Sequence, residues 1–462
     1  MARLPFSESE YRGRQSRFLD KIPHDCLVLI PTNPASIRSN DVHYPFRASS
    51  YMLYLCGWSE PESVLMAKHN GKNWVVSLFV QPNDTTAEIW EGRRIGIEGA
   101  SSGWPIDEAY SLLEMNEIVT DSLKKSNGVY LIQNLNADID QIVNDSLTSK
   151  SRQRNTYGMG PISLVDPSSL LDEMRICKSQ EEVTIMQKSA DLASMAHSIA
   201  MKKSHAGIGE WEIQAIIEGC FQSHGSQWSY PSIVGGGDNA TILHYHANNE
   251  PVSDGELVLV DAGCEVEGYA SDITRTWPVN GKFTEPQREI YNLVLEAEIA
   301  GIEACQVGAP WNASHKATME VISRGLIELG ILNCTFEEAM GEDLDGKTRQ
   351  FFMHGTSHSL GLDVHDVGVT RPGGKGDGRL LEEGMVLTVE PGVYFASWRE
   401  DVEIPERYSG IGIRIEDDVL ITKNGPVVLT SNCPKEITEI ETLIGSGVVI
   451  VWPLGKKFLK LN

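Results

Sequence analysis

The feature that most constrains this sequence is a set of acidic residues placed at or near the ends of apolar, strand-like segments. Asp261, for example, directly ends the run Leu257–Val260. Four carboxylates occupy such positions: Asp261, Asp272, Glu390 and Glu416. An ionised carboxylate buried without a counter-charge is so unfavourable that it normally takes up a proton. The set therefore predicts a shared counter-charge, most simply a divalent metal ion. The alternative is that these strands are half-exposed and the acids face water.

Histidines cluster in the same part of the chain. Five of the twelve fall in two short segments, as His244, His246, His354, His358 and His365. A satisfied core histidine remains the alternative for any one of them. Four carboxylates with one imidazole nitrogen suit two hard divalent ions and disfavour a structural zinc site built on thiolates. Two such ions can hold a bridging hydroxide and polarise a carbonyl, which is hydrolytic chemistry.

Composition narrows the class of protein and its compartment. The 462 residues suggest two or three domains, and 39 basic against 64 acidic residues give a net charge of −25, which argues against a nucleic-acid partner. Eight scattered cysteines without a Cys-x-x-Cys pair indicate reduced thiols. We find neither a secretory signal nor an integral membrane segment. We therefore expect a cytoplasmic protein, with an organelle matrix as the alternative.

The order of elements predicts an α+β catalytic domain preceded by a smaller α/β domain. About the first 165 residues alternate apolar runs with polar helical segments. Beyond them, two helices followed by strands occur twice, and each repeat opens on a capping box, at Ser179–Glu182 and Thr284–Gln287. We expect a strand from Tyr269 to Trp277 and another from Gly412 to Ile421. The expected domains are 1–170 and 171–443, with a poorly ordered tail at 444–462.

Five short strings resemble the metallopeptidase family with the pita-bread fold. They are Val260–Cys264, Asp272–Thr276, His354–His358, Val389–Gly392 and Arg414–Asp417. The resemblance runs across roughly 172–443. It implies a dinuclear metal site, with Mn²⁺ as the expected ion. It assigns the metal ligands to Asp261, Asp272, His358, Glu390 and Glu416.

The N-terminal part resembles the aminopeptidase P subgroup of that family. The strings that carry this likeness are Asn40–Arg47, Tyr54–Glu62 and Thr86–Arg94. The likeness implies a metal-dependent aminopeptidase that releases the first residue of peptides with proline second, using a metal-bridging hydroxide. It also implies that Trp90 reaches a neighbouring subunit, hence a homo-oligomer, dimer or tetramer, in which the N-terminal domain restricts the substrate and makes oligomer contacts. Local packing is the alternative for Trp90.

The resemblance also implies roles for further side chains. Glu390 would move protons while ligating, and His244 and His365 would contact the scissile carbonyl. His354 would line the proline side of the pocket, and Arg414, with Tyr394, would orient the ligands; an ordinary ion pair is the alternative for Arg414. Two other functions stay open: a prolidase acting on Xaa-Pro dipeptides, and a non-catalytic pita-bread binding module.

Overall fold

A computed structural model describes residues 4–152, 160–374 and 376–447. The chain divides into two compact units, residues 1–175 and 176–462. The elements that begin in the first unit are α1 Glu8–Leu19, β1 Cys26–Pro31, β2 Ile37–Ser39, β3 Val42–His43, α2 Ser50–Cys56, β4 Val64–His69, β5 Trp74–Val80, α3 Thr85–Glu91, α4 Gly96–Gly103, β6 Glu108–Ser111, α5 Met115–Lys124, β7 Gly128–Leu131, α6 Ala137–Arg152, β8 Ser163–Val165 and α7 Ser168–Ile176.

The first unit is an α/β structure, as the alternating pattern predicted. Six strands form one mixed sheet in the order β6-β5-β4-β1-β7-β8. β1 lies inside it, antiparallel to β4 and parallel to β7. Apolar side chains of α5 and α6, such as Val119 and Val143, pack in one core cluster with Leu27 and Leu29 of β1. The continuous apolar runs of these strands therefore reflect burial inside the sheet.

The second unit contains the remaining elements. They are α8 Gln180–Lys203, α9 Glu210–Ser223, β9 Gln227–Trp228, β10 Ile233–Gly236, β11 Leu257–Asp261, β12 Cys264–Val266, β13 Tyr269–Ala270, β14 Thr274–Pro278, α10 Glu285–Glu303, α11 Ala313–Glu328, α12 Phe336–Met340, β15 Val386–Val389, β16 Gly392–Tyr394, β17 Gly412–Arg414, β18 Asp417–Thr422, β19 Gly425–Val428 and α13 Ile437–Leu443.

Helices followed by strands occur twice in this unit, α8 and α9 before β9, and α10 and α11 with the short α12 before β15; this agrees with the predicted repeat apart from α12. The first half contributes the sheet β10-β11-β14 and the second half the sheet β15-β18-β19. Both predicted capping boxes form: Ser179 caps α8 with Glu182, and Thr284 caps α10 with Gln287. Apolar residues of the helices α8 to α11 share one core cluster with β11 and β14.

Two long strands expected from the sequence are interrupted, and both breaks lie at acidic residues. The strand expected over Tyr269–Trp277 stops after Ala270 and resumes at Thr274, which leaves Asp272 in the gap. The strand expected over Gly412–Ile421 stops after Arg414 and resumes at Asp417, with Glu416 in the gap. At the second break the chain changes partner: the N–H of Glu416 donates to the carbonyl oxygen of Thr274 at 3.0 Å, away from the partners of β17 and β18.

The end of the described chain lies against α8. The N–H of Gly447 donates to the carbonyl oxygen of Lys202 at 2.9 Å. Of the tail expected at 444–462, residues 448–462 lie outside the described residues.

Candidate metal centre and active site

One cavity in the second unit, of about 410 Å³, gathers the side chains that the sequence proposed for the site. They are Asp261, Asp272, His358, Glu390 and Glu416, together with His244, His354, His365 and Arg414. Residues from both halves of the unit therefore meet at one place, although the ends of this set are more than 150 positions apart in the chain.

The pairing of β11 with β14 brings the two aspartates together. Asp261 ends β11 and pairs with Thr274, the first residue of β14. Asp272 lies two residues before Thr274 and is therefore close to Asp261. The hydroxyl of Tyr230 contacts Asp261 Oδ1 at 2.5 Å and also contacts Asp272 Oδ1. A phenol has one proton, so it can donate to only one carboxylate at a time. The contact of the Tyr230 hydroxyl with the other carboxylate therefore brings two oxygen atoms together, and these need a proton or a cation between them.

Tyr230 was not predicted from the sequence. Charged and imidazole side chains in apolar runs are conspicuous, whereas a lone tyrosine before a proline gives no comparable signal. Only the fold shows that its hydroxyl faces two acids.

The second half of the unit supplies the other three proposed ligands. His358 lies on a segment bonded along β15, where the N–H of Thr388 donates to its carbonyl oxygen at 3.0 Å. Its Nε2 lies 3.4 Å from Asp272 Oδ2 and 3.7 Å from Glu390 Oε1. Ligating atoms of Asp272, His358 and Glu416 lie within 4.8 Å of one another. A cation at their centre would have both oxygen and nitrogen ligands.

The electrostatics of the cavity favour added positive charge. Burial, reinforced by neighbouring acids, raises the pKa of Asp272 and raises that of Glu416 well above its usual range. Burial also raises the pKa of Glu390 to about 7. Burial opposes ionisation of His358, but its bond to Asp272 and the nearby carboxylates outweigh this and raise its pKa to about 9. Ionisation of these acids is thus disfavoured unless a cation is added, so the residues fit a divalent metal.

Arg414 contacts one of the proposed ligands directly. Its guanidinium donates to Asp261 Oδ2 at 2.6 Å, to the Tyr394 hydroxyl at 3.0 Å and to Thr274 Oγ1 at 3.0 Å. The hydroxyl of Thr274 donates to Glu416 Oε2 at 2.6 Å. These bonds fix the orientation of two acids from opposite halves of the unit.

The remaining histidines line the walls of the cavity. His354 Nε2 lies 2.8 Å from the Tyr394 hydroxyl, and burial lowers the pKa of this imidazole to about 3. The ring of His365 stands nearly perpendicular to that of His358, with centroids 4.4 Å apart. Burial and the neighbouring imidazoles lower the pKa of His365. Both His354 and His365 are thus neutral near pH 7, when an imidazole can donate a hydrogen bond from one nitrogen.

A buried cluster of four charges, the Arg275 quartet, supports the strand break that carries Glu416. It consists of Arg275, Glu298, Asp417 and Lys435. All five N–H groups of the Arg275 guanidinium are used, and one donates to the Glu416 carbonyl oxygen at 2.6 Å. Lys435 Nζ lies 2.6 Å from Asp417 Oδ2 and 2.8 Å from Glu298 Oε1. Two basic and two acidic side chains thus pair with one another, next to the site.

Comparisons with known proteins agree with this geometry. Residues 184–423 match the model of metallopeptidase family M24, and residues 11–130 match the aminopeptidase P N-terminal domain. A Xaa-Pro aminopeptidase of Haemophilus influenzae is 40% identical over 96% of this chain and 98% of its own. Aminopeptidase P from E. coli with the inhibitor Pro-Leu has a TM-score of 0.89 at 41% identity, covering 95% of this chain and 98% of that chain. A zinc-substituted E. coli form in complex with product has a TM-score of 0.88 at 40% identity, with the same coverage.

The fold and the site define a pita-bread metallopeptidase, a hydrolase that depends on divalent metal. The chain belongs to metallopeptidase family M24, and its N-terminal unit is that of aminopeptidase P. It is therefore an aminopeptidase, and the predicted fold class is confirmed. None of the helices that the structure describes combines the length and apolar character needed to cross a bilayer.

Proposed function

We propose that this enzyme releases the N-terminal residue from peptides whose second residue is proline. The single observation that carries the proposal is the convergence of four acids and one imidazole in one cavity of a chain 40% identical to a Xaa-Pro aminopeptidase over nearly its whole length. A prolidase or a non-catalytic binding module is less well supported, because the N-terminal unit matches aminopeptidase P and the proposed ligand set is complete.

The proposed ligands of two divalent ions are Asp261, Asp272, His358, Glu390 and Glu416. Oxygen-rich donor sets favour hard ions, which supports Mn²⁺ as the working metal. When bound, such ions lower the pKa of a coordinated water and polarise the scissile carbonyl. The zinc-substituted form of the E. coli relative supports a site that accepts more than one divalent ion.

The chain's own side chains would then orient the substrate and move its protons. His244 and His365 on the cavity wall can donate hydrogen bonds to the carbonyl oxygen as it gains negative charge. Glu390 would take up a proton at a carboxylate oxygen and deliver it to the departing proline nitrogen. Arg414 would keep Asp261 oriented through their 2.6 Å contact.

The cavity wall supports proline recognition. A peptide bond to proline has no N–H, so the enzyme cannot use the usual backbone donor to recognise it. Apolar contact with the pyrrolidine ring must replace that hydrogen bond. The cavity offers such contacts at Pro231, Ile233, Leu243 and Val364.

Metal removal and substrate choice test the proposal. The purified protein is stripped with a chelator, reloaded with Mn²⁺ or Zn²⁺, and assayed on Xaa-Pro-Yaa and Xaa-Ala-Yaa tripeptides and Xaa-Pro dipeptides. We expect metal-dependent release of the first residue from Xaa-Pro-Yaa only. Cleavage restricted to dipeptides would instead identify a prolidase, and an inert protein without bound metal would identify a binding module.

We propose further that the enzyme is a homo-oligomer. Trp90 and its neighbour Ile89 are 83% and 75% exposed, which supports an interaction surface on α3. Light scattering should give a dimer or tetramer, and Trp90→Ala should lower peptide turnover. If Trp90 only packs locally, Trp90→Ala should alter neither the oligomeric state nor peptide turnover. None of the eight cysteines, all of which the structure describes, forms a disulfide, which supports a reducing compartment and hence the cytoplasm or an organelle matrix.

A further inference from the structure

A buried carboxylate outside the proposed ligand set holds the loop that carries two of the cavity's histidines. Glu210 is the first residue of α9 and is 0% exposed. Its oxygens accept four hydrogen bonds: from the N–H of Gly236 at 2.7 Å, the N–H of Glu250 at 3.0 Å, the side-chain amide of Asn239 at 3.1 Å and the hydroxyl of Tyr245 at 3.0 Å. Within the ranges that the structure describes, Glu210 forms no ion pair with a basic side chain.

These four donors span both ends and the middle of one segment, residues 236–250, which we call the histidine loop. Tyr245 lies between His244 and His246 in the chain. Its ring packs against the small core cluster that contains Ile233 and Leu259, and its hydroxyl meets Glu210. His244 and His246 line the cavity instead. Fixing Tyr245 on one side therefore fixes the direction of both histidines on the other.

The chemistry of the four partners requires a carboxylate at position 210. All four present hydrogens, and an ionised carboxylate accepts on both oxygens. A glutamine would direct an amide N–H₂ toward one pair of donors. Two of these donors are backbone N–H groups, which cannot reverse their role, so at least one buried bond would be lost on an otherwise similar side chain.

Other contacts of the region do not replace Glu210. Asn248 accepts from the N–H of Val234 at 3.0 Å and donates to the Ser232 carbonyl oxygen at 2.8 Å, which fixes the return of the loop and not its first half. Helix capping belongs to another acid. Glu212 accepts from the N–H of Gly209 at 2.8 Å and is exposed.

Elsewhere in the loop, Asp238 accepts from the N–H and the hydroxyl of Ser397 at 3.0 and 2.6 Å, and the Tyr245 hydroxyl also lies 3.2 Å from Asn249 Oδ1. Among these contacts, Glu210 is the buried acid that holds Tyr245, the residue between the two histidines.

We propose that Glu210 is a positioning residue for peptide cleavage, acting through Tyr245 and the histidine loop to direct His244 at the scissile carbonyl. The consequence for catalysis rests on the proposed function, whereas the hold on the loop is independent of it.

Two matched substitutions on α9 test this inference in the full-length, metal-loaded enzyme. Glu210→Gln should lower kcat/KM on an Xaa-Pro-Yaa peptide by about 10- to 100-fold, mostly in kcat, because misplacing a group that faces the transition state costs rate. Metal content should stay unchanged. Hydrogen exchange of residues 237–249 should become faster. Glu212→Gln, which removes a carboxylate of the same helix end, should behave like the wild type in all three measurements.

A double-mutant cycle separates positioning from general damage. Combined with His244→Ala, Glu210→Gln should cost less than about 2-fold more, because both changes remove the same interaction. An undiminished cost in that background overturns the inference, as does wild-type kcat/KM for Glu210→Gln. If Glu210→Gln does not fold, Tyr245→Phe deletes one donor only, and unchanged kcat/KM in that variant is equally contrary. A wild type that cleaves no Xaa-Pro peptide but shows faster loop exchange in Glu210→Gln refutes the proposed function and leaves the loop anchor intact.

Discussion

At the scale of single residues, the acids of the metal centre depend on one another's charge. Asp272 is 5% exposed, and its Oδ2 lies 3.4 Å from His358 Nε2. Asp272→Asn keeps the shape and removes one anionic ligand. We expect loss of bound metal in elemental analysis and a fall in activity of more than about 100-fold, since even partners of metal ligands matter by about 10- to 100-fold.

The matched control for that substitution is Asp254→Asn. Asp254 is exposed, and its side chain accepts a hydrogen bond from the side-chain amide of Asn280. It should retain full metal content and turnover. Full metal occupancy in Asp272→Asn would remove this residue from the proposed ligand set.

His197 predicts a pH dependence of stability that is separate from catalysis. This side chain of α8 is 0% exposed, and burial lowers its pKa to about 4 from an ordinary 6.5. Between these values the unfolded chain binds a proton that the native chain rejects. The contribution of neutral His197 to the free energy of unfolding is therefore complete above pH 6.5. It is lost as the pH falls toward 4, by about 3 kcal/mol in all.

Urea unfolding at pH 7 and pH 4.5 measures this contribution. Relative to the wild type, His197→Leu should lose less stability on acidification. His205→Gln, at an exposed imidazole just beyond the same helix, should follow the wild type. Equal acid sensitivity of His197→Leu and the wild type would show that the native site accepts the proton.

Among residues, the sequence identified the acids and histidines because charged groups in apolar runs are conspicuous. It did not identify Tyr230 or Glu210. The role of each depends on partners that the fold brings from distant segments, and an uncharged phenol or a glutamate at a helix start has an ordinary explanation in sequence.

At the scale of elements, helix starts could be predicted from local chemistry. Ser179→Ala should lower the free energy of unfolding by about 1 kcal/mol, because its hydroxyl accepts from the N–H of Glu182 at the start of α8. Chemical denaturation provides the measurement. Thr184→Ala, an exposed hydroxyl one turn further along that helix, should be neutral or stabilising. A Ser179→Ala protein as stable as this control would mean that the cap contributes nothing.

Strand ends could not be predicted in the same way. Apolar alternation favours one continuous strand through Ile415 and Glu416, yet the chain leaves one ladder there and joins another. The change of partner depends on Thr274, more than 140 positions away. The same long-range pairing exposes Glu416 to the cavity, so the error in the predicted strand and the location of the site have one cause.

At the scale of the whole molecule, metal binding should stabilise the second unit. Every proposed ligand lies in it, and burial, reinforced by neighbouring acids, raises the pKa of Asp272 and of Glu416, so both carboxylates lack a full counter-charge. Calorimetry with Mn²⁺ at about 100 times its Kd should show a gain of about 3 kcal/mol. The shift should be much smaller in Asp272→Asn. A melting curve unaffected by Mn²⁺ would mean that the native fold does not bind it.

The overall architecture was accessible from sequence because both units follow simple patterns. Buried strands gave apolar runs, and the repeated helix pairs gave capping boxes. Such local signals do not show which side chains remain exposed, and they did not reveal that Trp90 is 83% exposed.

The Arg275 quartet has a consequence for how such chains can diverge. Glu298 and Asp417 are completely enclosed with Arg275, and Lys435 closes the set. Losing one member strands an opposite charge in a medium that cannot solvate it. Single substitutions at 275, 298, 417 or 435 should thus be rare among related sequences, whereas combined exchanges that preserve neutrality should be tolerated. These four positions should therefore covary.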